Sequence, residues 1–156
     1  RIVGNLPYNI STPLIFRLLD HAELIADMHF MLQLEVVERL AASPGNKDWG
    51  RLGVMAQFQC HVEHLFDVPP EAFYPPPKVQ SAVVRLTPRT QLPTVGREAL
   101  AKVVTQAFAQ RRKTLRNNFK DVLEDSDFEA LHIDPSARAE TLSIDDFIAI
   151  TNRLPS

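Results

Sequence analysis

The chain has 156 residues, 45% apolar, 23% charged and 8% aromatic, with a net charge of −2 at pH 7. That length leaves room for one good core or two small ones, and the Val, Ile, Leu and Phe content excludes a disordered chain. No window approaches roughly eighteen consecutive apolar residues and the opening residues lack a signal-peptide layout, so the sequence predicts no membrane span, no secretion and a cytoplasmic address. The single cysteine, Cys60, excludes an internal disulfide, and no second cysteine stands at zinc-ligand spacing.

The mild net charge hides an uneven distribution. Residues 1–96 carry a net −1, residues 97–120 a net +6 and residues 121–156 a net −7. A compact basic block beside an acidic one is a directed field that can steer a polyanion even when the whole chain is slightly acidic.

In chain order, residues 1–5 read as a short buried strand entered without an initiator Met or a flexible lead, which is expected of an excerpt from a longer protein. Thr12 is a candidate helix cap with Pro13 in the first turn, and Leu14, Ile15, Leu18 and Leu19 predict about two helical turns reaching near His21. Residues 28–32 predict a buried strand, and residues 35–42 a helix with Val36, Val37 and Leu40 on one face. Strand, helix, strand, helix indicates a parallel α/β sheet.

Residues 43–48 are turn chemistry throughout and residues 52–58 suggest another helix. Residues 62–68 and 81–86 predict two more strands, antiparallel partners at the sheet's end, separated by a proline-dense run. From Pro93 on, the pattern is helical only: Leu100, Val103, Val104, Ala107 and Phe108 keep amphipathic spacing, and Leu115, Phe119, Val122 and Leu123 repeat it. Ser126 with Glu129, and Ser143 with Asp146, read as capping boxes. The boundary falls within residues 88–96, giving domains 1–90 and 91–156.

Three segments carry candidate chemistry. Asn5-Leu6-Pro7-Tyr8 follows the first strand at its carboxyl end, where open α/β sheets hold ligands. Acceptors at the Asn5 side-chain oxygen and the Leu6 carbonyl, aimed at the two N–H groups of an adenine N6, favour the pyramidal geometry that frees its lone pair for methyl transfer. Pro7 fixes that carbonyl and Tyr8 stacks on a base taken out of its helix. The competing reading is an ordinary strand-to-helix loop with a packed tyrosine.

Phe73-Tyr74-Pro75-Pro76-Pro77-Lys78-Val79 sets an aromatic pair on a stiff ridge, presenting Phe73 to a base and Lys78 to a phosphate, or else simply links two strands. Gln110-Arg111-Arg112-Lys113-Thr114, followed by Arg116, Asn117, Asn118 and Lys120, suits an RNA surface in which Arg111, Arg112, Lys113 and Arg116 meet phosphates; a solvated helix face is the alternative.

These segments, in this order, resemble the small-subunit ribosomal RNA adenine N6,N6-dimethyltransferase family, the KsgA type. The likeness runs from residues 4–13 through 73–79 and 81–86 to 110–114, Ile133-Asp134-Pro135 and Arg138-Ala139-Glu140, essentially the whole chain. The first two motifs are shared with the erythromycin-resistance methyltransferases of the large subunit; the arginine-rich and Ile-Asp-Pro segments are more particular to the small-subunit branch. The resemblance implies the C-terminal part of a class I, Rossmann-like methyltransferase sheet followed by a small all-α RNA-binding domain. It implies S-adenosylmethionine as cofactor, touched by Asn5, with Asn5, Leu6, Pro7, Tyr8 and Phe73 at the adenine site. The implied substrate is two adjacent adenosines near the 3′ end of small-subunit rRNA, within the small ribosomal subunit, for a monomer with no membrane partner.

The family's glycine-rich cofactor loop lies upstream of its asparagine, and no Gly-x-Gly occurs in this chain, so most of the cofactor site is expected before Arg1 and this piece alone is expected to be inactive. The alternatives are a catalytically silent RNA- or ribosome-binding fragment and a large-subunit methyltransferase. No metal site is expected: on a strand, His61 and His64 point to opposite faces. Glu35 with Glu38 and Asp145 with Asp146 read as exposed or helix-start carboxylates, and Trp49 as a packing residue.

Overall fold

The computed structural model describes residues 1–7, 9–76 and 78–154. The chain divides into two compact units, the first made of residues 1–42 and 55–92 and the second of residues 43–54 and 93–156.

The first unit is built on a four-stranded sheet: β1 (Ile2–Asn5), β2 (Met28–Gln33), β3 (Cys60–Val68) and β4 (Ser81–Pro88), in the spatial order β1-β2-β4-β3. β1 runs parallel to β2, while β4 is antiparallel to both β2 and β3. Alternation decides the core face. Met28, Phe30 and Leu32 of β2 lie opposite Leu86, Val84 and Ala82 of β4, and all six are buried.

Helices α1 (Ser11–Leu19) and α2 (Leu34–Ala41) add Ile15, Leu19, Val36, Val37 and Leu40 to the core. Each such side chain contributes about 1.5–3 kcal/mol by leaving water. Helix α3 (Arg51–Gln59) is pinned through its last residues: Gln57 Nε2 donates to the Leu40 and Ala42 carbonyls, both at 2.8 Å, and Gln59 Nε2 to that of Leu19 at 3.1 Å. These amides satisfy carbonyls at the ends of α1 and α2, which no intrahelical donor reaches.

Two local expectations are corrected. The strand 1–5 is not buried: among the described residues β1 pairs on one flank only, and Val3 is 73% exposed. Thr12 does not cap α1, because the helix begins one residue earlier, at Ser11 after Ile10, leaving Pro13 still in the first turn.

The second unit is helical: α4 (Arg97–Ala107), α5 (Leu115–Asn118), α6 (Asp125–Ala130) and α7 (Ile144–Arg153). Leu100, Val103, Val104 and Ala107 of α4 are buried, and α4 packs against α7, which buries Phe147 and Ile150. Phe119 meets Phe128 edge-on at 6.2 Å. Ser143 opens α7 with the expected box: its hydroxyl accepts from Asp146 N at 3.1 Å and its N–H donates to Asp146 Oδ2 at 3.0 Å.

The other expected box is displaced. Glu124, not Ser126, caps α6, and it pairs reciprocally with Asp127. The stretch from Leu115 to Leu123 is also not one continuous helix; α5 is a single turn and Val122, expected on the buried stripe, is 45% exposed.

Residues 43–54 depart from a division at residue 90, since they belong with the helices. Trp49 is fully buried, its Nε1 donates to the Leu142 carbonyl at 2.7 Å, and Gly45 N donates to the Glu140 carbonyl at 2.7 Å. Gly45 holds the left-handed conformation, φ 91°, that this turn requires. Among the described residues no helix is long and apolar enough to cross a membrane.

Candidate active site and nucleic-acid interface

In the first unit the parallel pairing of β1 and β2 brings both strands' carboxyl ends to one edge of the sheet. Leu6 N donates to the Met31 carbonyl at 3.2 Å, extending the ladder one residue past β1, and the Pro7 carbonyl accepts from Ile10 N at 3.1 Å, turning the chain into α1. A cavity of about 570 Å³ opens here, lined by Asn5, Leu6, Pro7, Gln33, Phe73 and Lys78 among others. This is the size range of small-ligand pockets.

The Asn5 side chain and the Leu6 carbonyl make no hydrogen bond to any other described residue. Two acceptors without donors among the described residues therefore belong to residues that line an otherwise largely apolar cavity. Phe73 is half-buried, held where its N–H donates to the Pro70 carbonyl at 3.2 Å and closes the short turn Pro70–Ala72. The far end of the proline ridge is fixed by Leu34 N donating to Gln80 O at 2.8 Å. Tyr74, beside Phe73, is 99% exposed, and Lys78 is exposed at the cavity.

The structure thus brings Asn5, Leu6, Pro7, Phe73 and Lys78 together; Tyr8 and Pro77 lie outside the described residues. Met31 and Gln33 also line the cavity, although Met31 reads in sequence only as part of a buried strand and Gln33 falls just past its expected end. Their place follows from the parallel register, Asn5 opposite Met31, which puts the end of β2 beside the end of β1.

In the second unit the basic block divides by what each cation touches. Arg111 is exposed but tethered: its guanidinium donates to the Lys47 and Trp49 carbonyls at 2.5 and 2.6 Å, lies 3.7 Å from Glu140 Oε2 and sits 5.5 Å from the Phe108 ring centroid. Arg116 pairs with Asp125 at 2.9 Å, and that hydrogen bond raises its already high pKa. The interleaved amides are partly structural too. Asn118 Nδ2 donates to the Ala107 and Gln110 carbonyls, and Thr114 caps α5. Arg112 and Lys113 are exposed, with no ion pair among the described residues.

Elsewhere, burial pushes the Cys60 thiol up to about 11, so at neutral pH it is a neutral packing group rather than a thiolate. His64 Nε2 lies 2.6 Å from Asp67 Oδ1. Trp49 packs as its sequence context suggests.

A family model described as ribosomal RNA adenine dimethylase matches residues 1–155. Among curated proteins the chain is 63% identical to the Ribosomal RNA small subunit methyltransferase A of Saccharophagus degradans and 60% identical to that of Pseudomonas aeruginosa; each alignment spans 99% of this chain and 58% of the relative. The chain thus spans somewhat over half the length of these relatives.

Among solved structures, a dimethyladenosine transferase from Plasmodium falciparum superposes with a TM-score of 0.84 at 27% identity, over 96% of this chain and 64% of that one. The 23S rRNA methyltransferase ErmE, at 23% identity and a TM-score of 0.75, shares the fold. The sheet is accordingly the Rossmann-like methyltransferase sheet that the motifs imply. Agreement along nearly the whole chain, with the asparagine motif at the strand end where such a sheet holds its ligand, identifies the chain as a member of the ribosomal RNA adenine dimethylase family.

Proposed function

We propose that this chain forms the adenine-binding and RNA-binding part of an enzyme that dimethylates N6 of two adjacent adenosines near the 3′ end of small-subunit rRNA. The enzyme uses S-adenosylmethionine during ribosome biogenesis and acts as a monomer in the cytoplasm. The observation that carries this reading is the cavity at the end of β1, lined by Phe73 and by Asn5 and Leu6, whose side chain and carbonyl respectively have no donor among the described residues.

The target adenine leaves its stack and enters the cavity, where Phe73 gives its ring an apolar face. In the first transfer Asn5 Oδ1 and the Leu6 carbonyl accept from the two N6 hydrogens, one of which leaves as a proton; in the second, one of these acceptors holds the single hydrogen that remains. As the nitrogen becomes pyramidal its lone pair is released from the ring, and these bonds strengthen, so they act on the transition state more than on the bound base. Pro7 holds the Leu6 carbonyl in place and Lys78 meets a phosphate. Tyr8 adds a second stacking surface.

Of the residues present, Asn5 fits a contact with the cofactor, being an exposed amide at the strand end; the chain offers no Gly-x-Gly turn to hold the ribose and methionine portions. When bound, S-adenosylmethionine supplies an electrophilic methyl group on a positively charged sulfur. Arg112 and Lys113 contact the RNA backbone from the second unit.

The test is methyl transfer by a protein of the relatives' full length carrying this chain, on small subunits that lack these methyl groups. Dimethylation of two adjacent adenosines is expected. Methylation confined to large-subunit RNA, or none at all, would refute the reading.

A further inference from the structure

The basic block of the second unit does not act as a row of equivalent charges. We infer that Arg111 is a positioning residue that splints the 43–54 segment onto the helical unit, and that Lys47, held on that splint, is a further phosphate contact on the RNA surface of Arg112 and Lys113. The inference rests on the RNA binding proposed for this unit and goes beyond it by adding a residue that the sequence pattern places in a mere turn.

Arg111 is held on several sides. One guanidinium nitrogen is shared by the Lys47 and Trp49 carbonyls, Glu140 lies within ion-pair range, and the Phe108 ring lies beneath. Gly50 completes the seat, since a Cβ there would stand 3.2 Å from the Arg111 guanidinium. A planar fork that bonds two carbonyls, faces a carboxylate and stacks on a ring is a task for arginine and not for lysine. The segment has two further anchors, the Trp49 indole on Leu142 and the Gly45 N–H on Glu140, so the splint joins an already defined loop.

Lys47 sits between these anchors with its backbone carbonyl bonded and its side chain exposed. No described residue pairs with its ammonium group, in contrast to Arg111, Arg116 and Arg153, which all have carboxylate partners. The bond from Arg111 places Lys47 within one arginine side chain's reach of the block. Arg112 and Lys113, next in sequence, are exposed and unpaired among the described residues in the same way. Three cations without partners among the described residues, tied by sequence or by a hydrogen bond to one that has several, form a surface for a chain of phosphates. An acidic protein partner is the other polyanion such a surface could meet, and salt dependence measured both on RNA-containing subunits and on extracted small-subunit rRNA decides between them.

The experiment measures equilibrium binding of the full-length protein to undermethylated small subunits and to that RNA as a function of salt. Lys47→Gln is expected to reduce the slope of log affinity against log salt by about 0.7–0.9 on both targets, the share of one phosphate contact. Arg111→Lys, which keeps the charge, is expected to weaken binding as Arg111→Ala does and to raise hydrogen exchange across residues 43–54. In the Arg111→Lys background Lys47→Gln should add little, because the lysine is no longer presented.

An unchanged slope for Lys47→Gln, or a reduced slope on subunits but not on RNA, overturns the phosphate contact. Wild-type binding and exchange for Arg111→Lys overturns the splint. The variant Arg112→Glu/Lys113→Glu separates this inference from the reading beneath it. If that pair leaves the slope unchanged, the RNA surface itself is wrong; if it reduces the slope while Lys47→Gln does not, only the present inference falls.

Discussion

Replacing Asn5 by Ala separates catalysis from folding and from RNA binding. The side chain is exposed, lines the cavity and has no hydrogen-bond partner among the described residues, so its removal strands no buried group and breaks no packing contact. Surface substitutions of this kind change stability by within about 0.5 kcal/mol. On the function proposed above, the same substitution removes one of two acceptors for the reacting amine, and deletion of one preorganised polar group from such a site costs about 3 kcal/mol in the barrier, a rate loss of roughly 10²-fold. Single-turnover transfer from radiolabelled S-adenosylmethionine to undermethylated small subunits reads the chemical step, and subunit affinity and melting temperature are followed beside it. The expected pattern is a collapse of the rate with affinity and melting unchanged. A rate within about threefold of wild type would remove Asn5 from the catalytic machinery, and a matching loss of affinity would make it a binding residue instead.

Three further outcomes rest on the packing and ionisation of the chain. Trp49→Phe leaves the Leu142 carbonyl without its buried donor, and an unsatisfied buried acceptor costs about 1–3 kcal/mol, which urea unfolding of the second unit should register. Cys60, with its thiol pushed up to about 11 by burial, should resist alkylation at mildly alkaline pH in the folded chain and react promptly once urea unfolds it. Asp127 titrates below its usual 3.8 because the Glu124 N–H and then Arg153 bond its carboxylate, and Asp134 does so through the Ser136 hydroxyl and N–H. Depressed folded values stabilise the fold above the unfolded pKa and that contribution is lost as pH falls through the folded values, so stability should be flat near neutrality and fall below about pH 4. Asp127→Asn should soften that acid limb.

How far the sequence discloses this fold depends on the range of the interactions concerned. α2 and α4 are legible because Val36, Val37 and Leu40, and Leu100, Val103, Val104 and Ala107, encode their buried faces within a turn or two. The antiparallel pairing of β3 and β4 is legible from two alternating runs on either side of a proline-rich turn. What is hidden is the allegiance of residues 43–54. Their composition says only that they turn; the bonds that assign them to the helices reach Arg111 from Trp49 across 62 positions and Leu142 across 93. No local pattern reports contacts of that span. The cap of α6 is hidden for a different reason: Glu124 and Ser126 both stand near its start, and a carboxylate can cap as a hydroxyl does.

The candidate site shows the same contrast within a single function. Asn5, Leu6 and Pro7 are contiguous and reach the cavity by backbone placement at a strand end, so a single short run of sequence carries most of the role proposed for it. Charge is legible as a quantity but not as an assignment. Arg111, Arg112, Lys113 and Arg116 look alike in sequence, yet among the described residues two have carboxylates within reach and two do not. Whether a cation is paired is decided by acceptors that arrive from elsewhere in the chain: Asp125 for Arg116, and the carbonyls of Lys47 and Trp49 with Glu140 for Arg111. A basic cluster read from sequence therefore measures a field that can steer a polyanion, and the proposed phosphate contacts fall on those of its members that have no carboxylate partner among the described residues.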